Sequence, residues 1–580
     1  MRGVDFILHY LINHEKVSHV FTYAGGTNAW LLDAISKTDG IDFIAMRHEE
    51  NAAFAADGYA RASGRLGVAA TMSGPGATNL ITGIADTYFD SVPVLFLTSQ
   101  VTTSTYKFER PVRQLGYQET DIVSVVKPIT KYASLASTEK EMAEMLKKSI
   151  AIAKFGRPGP SLLDIPSDIQ RREVNEEELN SPVILEQDNP VFDKELDTIL
   201  DLIQSSKRPV VLVGGGVRIS KSHDLLVKFA EYLQLPVVVS LMGKDSFPHD
   251  HPLFVGFIGS YGNRYANLTL ANCDLVIALG SRLDSRQTAN PKTFARAAKK
   301  IHVDIDRNEL NNTIKCDVAI QSDLRIFLEK VLKSIKPQDK GKNQDWLKYI
   351  KNVKADFDID GVGSDKGVNP KKFLRSLSEL ANSNAIFLTD VGNNQVWSAQ
   401  ELKIKSEQRF LTSGGLGTMG FAIPAGIGAY FACPDRQIIA IVGDGGFQMS
   451  LPELQTIVHN RVPIKIIVLN NKILGLMWHF QNENFSGGKH PATEDGYSCP
   501  DVRKIAQAYG IESKRIASNP DIADGLKWLL SHNGPAILEL DVHYSWAGYP
   551  KIKPGNPLEG QLPEVEKERI SKYMLIPLLK

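Results

Sequence analysis

The chain has 580 residues, 43% of them hydrophobic and 23% charged, with 66 basic side chains balanced by 66 acidic ones. That is the composition of an ordinary globular protein too long for one hydrophobic core, and at ~100 to 200 residues per domain it suggests three or four, with three as the working number. Zero net charge offers no clustered basic surface for nucleic acid, and no run reaches the ~18 to 20 uncharged apolar residues of a bilayer span. Cys273, Cys316, Cys433 and Cys499 are scattered, with neither a CxxC pair nor a disulfide-framework spacing. A cytoplasmic protein with small-molecule partners is expected, without nucleic acid or membrane.

From the N-terminus, MRGVDFILHYLINHEKVSHVF carries a short apolar run broken by His9, Asn13, His14 and Glu15, fitting an amphipathic first helix better than a signal peptide. RHEENAAFAADGYAR, from Arg47 to Arg61, predicts a helix headed by two adjacent acids, Glu49 and Glu50. Further along, buried-looking strands alternate with helical patterns: VAATMS, VPVLFLTS, PVVLVGGG, LPVVVSL, DLVIALG, KIHVDI, AIFLTDVG, QIIAIVGDG, IKIIVLNN and PAILELDV. Continuous apolar strands ended by glycine or small polar residues indicate parallel sheets covered by helices on both faces, so the fold class is α/β with doubly wound sheets.

Two charged, low-apolar stretches, REVNEEELNSPVILEQDNP and SIKPQDKGKNQDWLKYIKNVKADF, predict linkers. They divide the chain into units of 1–180, 190–335 and 365–550, followed by a Pro/Gly-rich tail, 551–580, that either packs over something or stays mobile. The first and third units share a strand-helix rhythm suggestive of a distant internal duplication.

The strongest chemical signal is IVGDGGFQMSLPEL followed by KIIVLNNKILGLMW. Gly443, Asp444 and Gly445 end one buried strand, and Asn470 and Asn471 end the next, twenty-four residues on. Glycines at a strand tip admit a phosphate close to the backbone, and the following helix offers it unpaired N–H groups. Aspartate and asparagine oxygens at neighbouring tips can hold magnesium, which prefers hard oxygen ligands shared with a diphosphate.

GDG followed by NN at this spacing resembles the signature of thiamine-diphosphate enzymes. The similarity runs over nearly the full length and is closest to acetohydroxyacid (acetolactate) synthases, through FTYAGGTNAWLLDAI, RHEENAAFAADGYARASG, MSGPGATNLITGIADTYFDSVPVLFLTSQV, GYQETDIV, GRPGPSLLDIPSDI, DVGNNQVWSAQ and SGGLGTMGFAIPAGIGA. The resemblance implies pyrimidine-binding, central FAD/ADP-type and diphosphate-binding domains in that order. It makes Asp444, Asn471 and the Ile473 carbonyl the magnesium ligands, with Gly443, Gly445, Asn470 and Gly475 around the diphosphate. Met419 would buttress the bent cofactor, and the Gly417 carbonyl would meet its pyrimidine amino group.

By the same resemblance Glu49 hydrogen-bonds a ring nitrogen of the aminopyrimidine and activates the cofactor, which requires a positioned, poorly hydrated carboxylate. Adjacent helical residues point about 100° apart, so Glu50 cannot face the same nitrogen and keeps a helix-dipole role. In the resembling family the glutamate and the metal motif meet across a subunit interface, implying a homodimer with shared sites or a homotetramer.

The middle unit resembles the flavin domain of these synthases through PVVLVGGGVR, LMGKDSF, GFIGSYGN, LGSRLDSR, HVDID and QSD. Gly214, Gly215, Arg282, Asp284, Asp304, Asp306 and Asp323 would line FAD there; ADP or a vacant domain is the alternative. Gly25, Gln118 and Gln100 match positions near the thiazolium, and Gln118 can hydrogen-bond a developing alkoxide. Arg286 matches the arginine of the acceptor carboxylate. Met477, His479 and Phe480 fall on the acceptor side, where the pattern departs from the synthases.

The implied reaction is decarboxylation of pyruvate, or a close 2-oxo acid, and carboligation of the acyl carbanion to a carbonyl acceptor, with acetolactate formation leading. Transfer to a nucleotide-linked ketosugar, simple decarboxylation or flavin-linked oxidation, and a catalytically silent diphosphate-binding or regulatory relative are the alternatives.

Overall fold

The computed structural model describes the chain apart from residues 181, 182, 184, 186–191, 338–340, 359–365 and 580. The linker expected around residues 172–190 therefore lies partly outside the described residues. Eighteen strands form three parallel six-stranded sheets.

The first sheet contains β1 (His19–Thr22), β2 (Asp42–Ala45), β3 (Gly67–Thr71), β4 (Val94–Gln100), β5 (Tyr132–Leu135) and β6 (Ser161–Pro166). The second contains β7 (Pro209–Val213), β8 (Val237–Val239), β9 (Phe254–Phe257), β10 (Leu275–Leu279), β11 (Lys299–Asp304) and β12 (Val318–Gln321). The third contains β13 (Ile386–Thr389), β14 (Arg409–Thr412), β15 (Ile438–Gly443), β16 (Lys465–Asn470), β17 (Glu512–Ile516) and β18 (Ala536–Asp541). Central strands such as β3, β4, β7 and β16 are buried at every position, which is why they read as unbroken apolar runs.

Strand order carries the functional information. The outer sheets run β2-β1-β3-β4-β6-β5 and β14-β13-β15-β16-β18-β17. Numbered from its own first strand, each reads 2-1-3-4-6-5, so the shared rhythm corresponds to a shared topology. The middle sheet runs β12-β11-β10-β7-β8-β9, the 3-2-1-4-5-6 order of dinucleotide-binding folds, whose ligand crevice opens where the order reverses between β7 and β10.

The outer units pack through equivalent helices, Glu49–Ser63 after β2 and Ala422–Ala432 after β14, and their buried residues belong to one hydrophobic cluster. The second predicted linker is partly a helix, Gln344–Phe357, which buries Trp346, Ile350, Val353 and Phe357. Their spacing of three or four residues gives one apolar face, hidden in the sequence among lysines. The tail packs on the middle unit, with Ile552, Leu558, Ile570 and Tyr573 joining Trp346 and Phe357 in its core. Among the described residues no helix is long and apolar enough to cross a membrane.

Candidate active site

At the tips of the third sheet, Gly443 pairs with Leu469 across β15 and β16, so Asp444 and Asn471 leave neighbouring strands. Asp444 begins the Asp444–Met449 helix and is 3% exposed, and its Oδ2 has no hydrogen-bond partner. Burial pushes its carboxyl up to about 7, opposed by the Tyr497 hydroxyl and by backbone N–H groups. A buried acid with an unpartnered oxygen is costly, and a divalent cation would satisfy that oxygen. The Asn471 side-chain oxygen accepts the Ile473 N–H at 3.3 Å, folding the turn toward Asp444.

Glycine keeps the surrounding space open. A Cβ on Gly475 would lie 2.6 Å from Asn471 Nδ2 and 2.7 Å from Asn393 Nδ2, so only glycine leaves room there. Asn393 is buried with both amide atoms unpartnered. It lies in DVGNNQVWSAQ, one of the stretches that carry the family resemblance, but its local pattern gives no sign of a role. Asn470 turns away, donating to Glu539 Oε1 at 2.8 Å and accepting the Lys472 N–H at 3.1 Å, so it shapes the strand end. Met419 approaches Gly445, and Gly417, at φ +78°, faces open space.

Glu49 opens the Glu49–Ser63 helix and is 6% exposed. Its Oε2 accepts the Asn79 amide at 2.9 Å, and a Cβ on Gly76 would sit 3.3 Å from its Oε1. The helix start is braced from the third unit: Glu453 Oε1 accepts the Arg47 N–H and the Asn51 amide, both at 2.9 Å. Glu50 differs from its neighbour. Its N–H donates to the capping His48 Nδ1, and burial raises its carboxyl.

Gly25 and Gln118 gather beside Glu49. Met72 lies against both Gly25 and Gly76, while Gly74 lies against Gln118, itself at φ +64°. Gln100 does not join them, because its amide donates to Asp164 and to the Thr120 carbonyl, both at 2.8 Å, and its oxygen accepts the Val101 N–H. It is 1% exposed and supports the end of β4.

On the Gly475–Asn484 helix, Met477 and Phe480 are half-exposed and one turn apart, while His479 is buried with Nε2 3.2 Å from the Trp546 carbonyl. Burial lowers the His479 pKa, opposed by the contact with the Trp546 carbonyl.

The middle unit holds a cavity of about 1060 Å³ lined by Gly214, Gly215, Arg282, Asp284, Arg286, Asp304 and Asp323. It opens at the switch point: a Cβ on Gly214 would lie 2.0 Å from the Gly280 carbonyl oxygen. Asp284 and Asp323 cap short and long helices, accepting the N–H groups of Gln287 and Arg325. Arg282 pairs with Asp284 at 2.9 Å. Burial pushes Asp304 up to about 6. Asp306 stands at the edge, paired with Arg157 at 3.2 Å. The Arg286 guanidinium lies 5.9 Å from the Tyr261 ring centroid.

The two strand tips, the glycine-walled space and the dinucleotide-type sheet define a diphosphate-cofactor enzyme of three α/β units. Family models agree in register: "Thiamine pyrophosphate enzyme, N-terminal TPP binding domain" matches residues 1–125, the central-domain model 196–331 and the C-terminal TPP binding domain model 390–540. A probable acetolactate synthase large subunit of Methanocaldococcus jannaschii is 38% identical, covering 96% of this chain and 94% of that protein. The acetolactate synthase large subunit of Lactococcus lactis subsp. lactis is 37% identical over 93% and 92%, and that of Cyanidium caldarium 35% over 95% of each. The chain belongs to the thiamine pyrophosphate enzymes, in the family of acetolactate synthase large subunits.

Proposed function

We propose that the protein decarboxylates pyruvate, or a close 2-oxo acid, and ligates the acyl carbanion to a carbonyl acceptor, as its acetolactate synthase relatives are named for doing. The observation that carries this reading is the buried Asp444 carboxylate, one oxygen unpartnered, at the junction of β15 and β16. The full-length likeness favours acetolactate formation over transfer to a ketosugar.

Bound thiamine diphosphate supplies the electron sink for the carbanion. The chain's own residues do the remaining work. Asp444, the Asn471 side-chain oxygen and the Ile473 carbonyl would hold magnesium, while Gly443, Gly445 and Gly475 would leave room for the diphosphate. Met419 and the Gly417 carbonyl orient the rest of the cofactor. Glu49, with Oε2 fixed by Asn79, exchanges a proton at Oε1 in dry surroundings. Gln118 would donate to a developing alkoxide and Arg286 would receive the acceptor carboxylate, with the apolar Met477 and Phe480 assigned to the acceptor side.

Glu49 lies in the first unit and Asp444 in the third; as the family resemblance implies, the active form is a homodimer in which the first unit of one copy completes the third unit of the other, or a homotetramer. The central cavity suits FAD in size and strand order. Cytoplasmic location accords with the free cysteines.

Purified protein given pyruvate, magnesium and thiamine diphosphate should release carbon dioxide and form acetolactate in parallel. Carbon dioxide accompanied only by acetaldehyde would sink the carboligation reading.

A further inference from the structure

Where the first and third units touch, three carboxyls and one guanidinium are buried together. Asp57 and Asp86 are fully buried and Asp90 is 8% exposed. Arg61 Nε lies 2.8 Å from Asp57 Oδ1, its Nη2 lies 2.8 Å from Asp90 Oδ2, and its Nη1 donates to the Thr412 carbonyl at 2.9 Å. Asp90 also accepts the N–H groups of Gly414 at 2.9 Å and Gly415 at 2.7 Å.

Asp86 is engaged differently. Its Oδ1 accepts the Ser413 hydroxyl and, at 3.2 Å, the Thr418 hydroxyl, while Oδ2 has no partner. The Ser413 oxygen in turn accepts the N–H groups of Gly417 at 3.1 Å and Thr418 at 2.8 Å. A hydroxyl can receive two N–H groups in this way only when its own proton is directed elsewhere, and Asp86 takes that proton.

We propose that Asp86 is a positioning residue for the cofactor cradle: by orienting Ser413 it fixes the loop that carries Gly417 and Met419. The inference rests on the reading that this loop receives thiamine diphosphate. Charge supports an acceptor role over a counter-ion role. Burial, with Asp90 and Asp57 as like-charged neighbours, raises the Asp86 pKa well above the usual carboxylate range, and Arg61 opposes this. A neutral carboxyl still offers Ser413 an acceptor, and so does a carboxamide.

The test titrates thiamine diphosphate into Asp86→Ala, Asp86→Asn, Ser413→Ala and wild-type proteins at saturating magnesium, following intrinsic tryptophan fluorescence. Turnover at saturating cofactor is measured in parallel. Losing the ordered hydroxyl should weaken binding on the order of tenfold in Asp86→Ala and Ser413→Ala. Asp86→Asn should bind within about twofold of wild type, and in Asp86→Ala and Ser413→Ala the loss of affinity should exceed any loss of kcat at saturating cofactor. Wild-type binding by Asp86→Ala, or equal damage from Asp86→Asn and Asp86→Ala, overturns the proposal. If Asp86→Ala does not fold, unchanged binding by Ser413→Ala overturns it alone. A wild-type protein that binds no thiamine diphosphate overturns the cofactor reading as well.

Discussion

Gly58 lies against Ala425 so closely that a Cβ on the glycine would sit 2.0 Å from the alanine carbonyl oxygen. The contact is reciprocated, since a Cβ on Gly428 would sit 1.8 Å from the Ala55 carbonyl oxygen. Each helix thus presents alanine and glycine three residues apart to its topological counterpart, and backbone meets backbone across the boundary between the outer units. Neither helix can yield without moving its N-terminal end, which is Glu49 itself in one unit and adjoins the Gly417 loop in the other. Gly58→Ala should therefore destabilise by about 3 kcal/mol or more, read as a lower apparent melting temperature with early loss of cofactor binding. A variant that melts with wild type would show that the helices separate freely.

Glu49 and Glu50 should separate cleanly by mutation. Glu49→Gln keeps the Asn79 contact but cannot exchange a proton, so kcat should fall by about 100-fold or more. Deuterium exchange at the thiazolium carbon of bound cofactor, followed by NMR, should slow with it. Glu50→Gln should cost less than about tenfold, because its carboxylate is placed by burial at a helix start and not at the Glu49 site. Equal losses from both substitutions would contradict the assignment of one working acid.

The sequence makes strand tips legible because parallel strands buried on both faces read as apolar runs and end where glycine or asparagine must turn. The placement of Asp444, Asn471 and Glu49 at a tip or a helix start was legible for that reason, because the chain reports its own local geometry, whereas their roles came from the family resemblance. What a side chain meets from far along the chain is not local. Gln100 looked free to face a substrate until Asp164, 64 positions away, took its amide. His479 turns to the Trp546 carbonyl and Asn470 to Glu539, each pairing elements that sequence spacing leaves apart. The Asp86 to Ser413 contact spans 327 positions. Similarly, the Gln344–Phe357 helix was hidden because it follows a lysine-rich, low-apolar stretch and three lysines fall between the four residues of its buried face.

Lys244 is fully buried in the middle unit, donating to the Ala399 carbonyl at 2.8 Å with the Phe410 ring 5.6 Å away. Burial pushes its pKa down to about 7, with Glu401 opposing. A lowered lysine pKa means the unfolded chain binds the extra proton between pH 7 and its ordinary value near 10.5, so stability rises with pH across that window. Lys244→Met removes the penalty. Its apparent melting temperature should exceed wild type most at pH 7, and the difference should shrink toward pH 10. A difference independent of pH would mean that the lysine is not buried uncharged.

Gly475 and Asn393 test the metal-diphosphate corner without touching Asp444. A methyl on Gly475 must displace the Asn471 or the Asn393 amide, since both lie under 3.0 Å from where it would stand. These are side-chain ends and not backbone, so the fold should survive while the oxygen geometry does not. Gly475→Ala should keep a wild-type melting temperature without cofactor and raise the magnesium concentration needed for thiamine diphosphate binding by about tenfold or more. Asn393→Ala leaves Asn471 in place but removes the buried amide whose two polar atoms lack protein partners. If that amide meets the diphosphate, its loss should weaken thiamine diphosphate binding by about tenfold while the magnesium requirement stays near wild type. A normal cofactor titration in Asn393→Ala would assign the amide to the cleft wall, and the diphosphate would then depend on the glycines and the Asp444–Met449 helix.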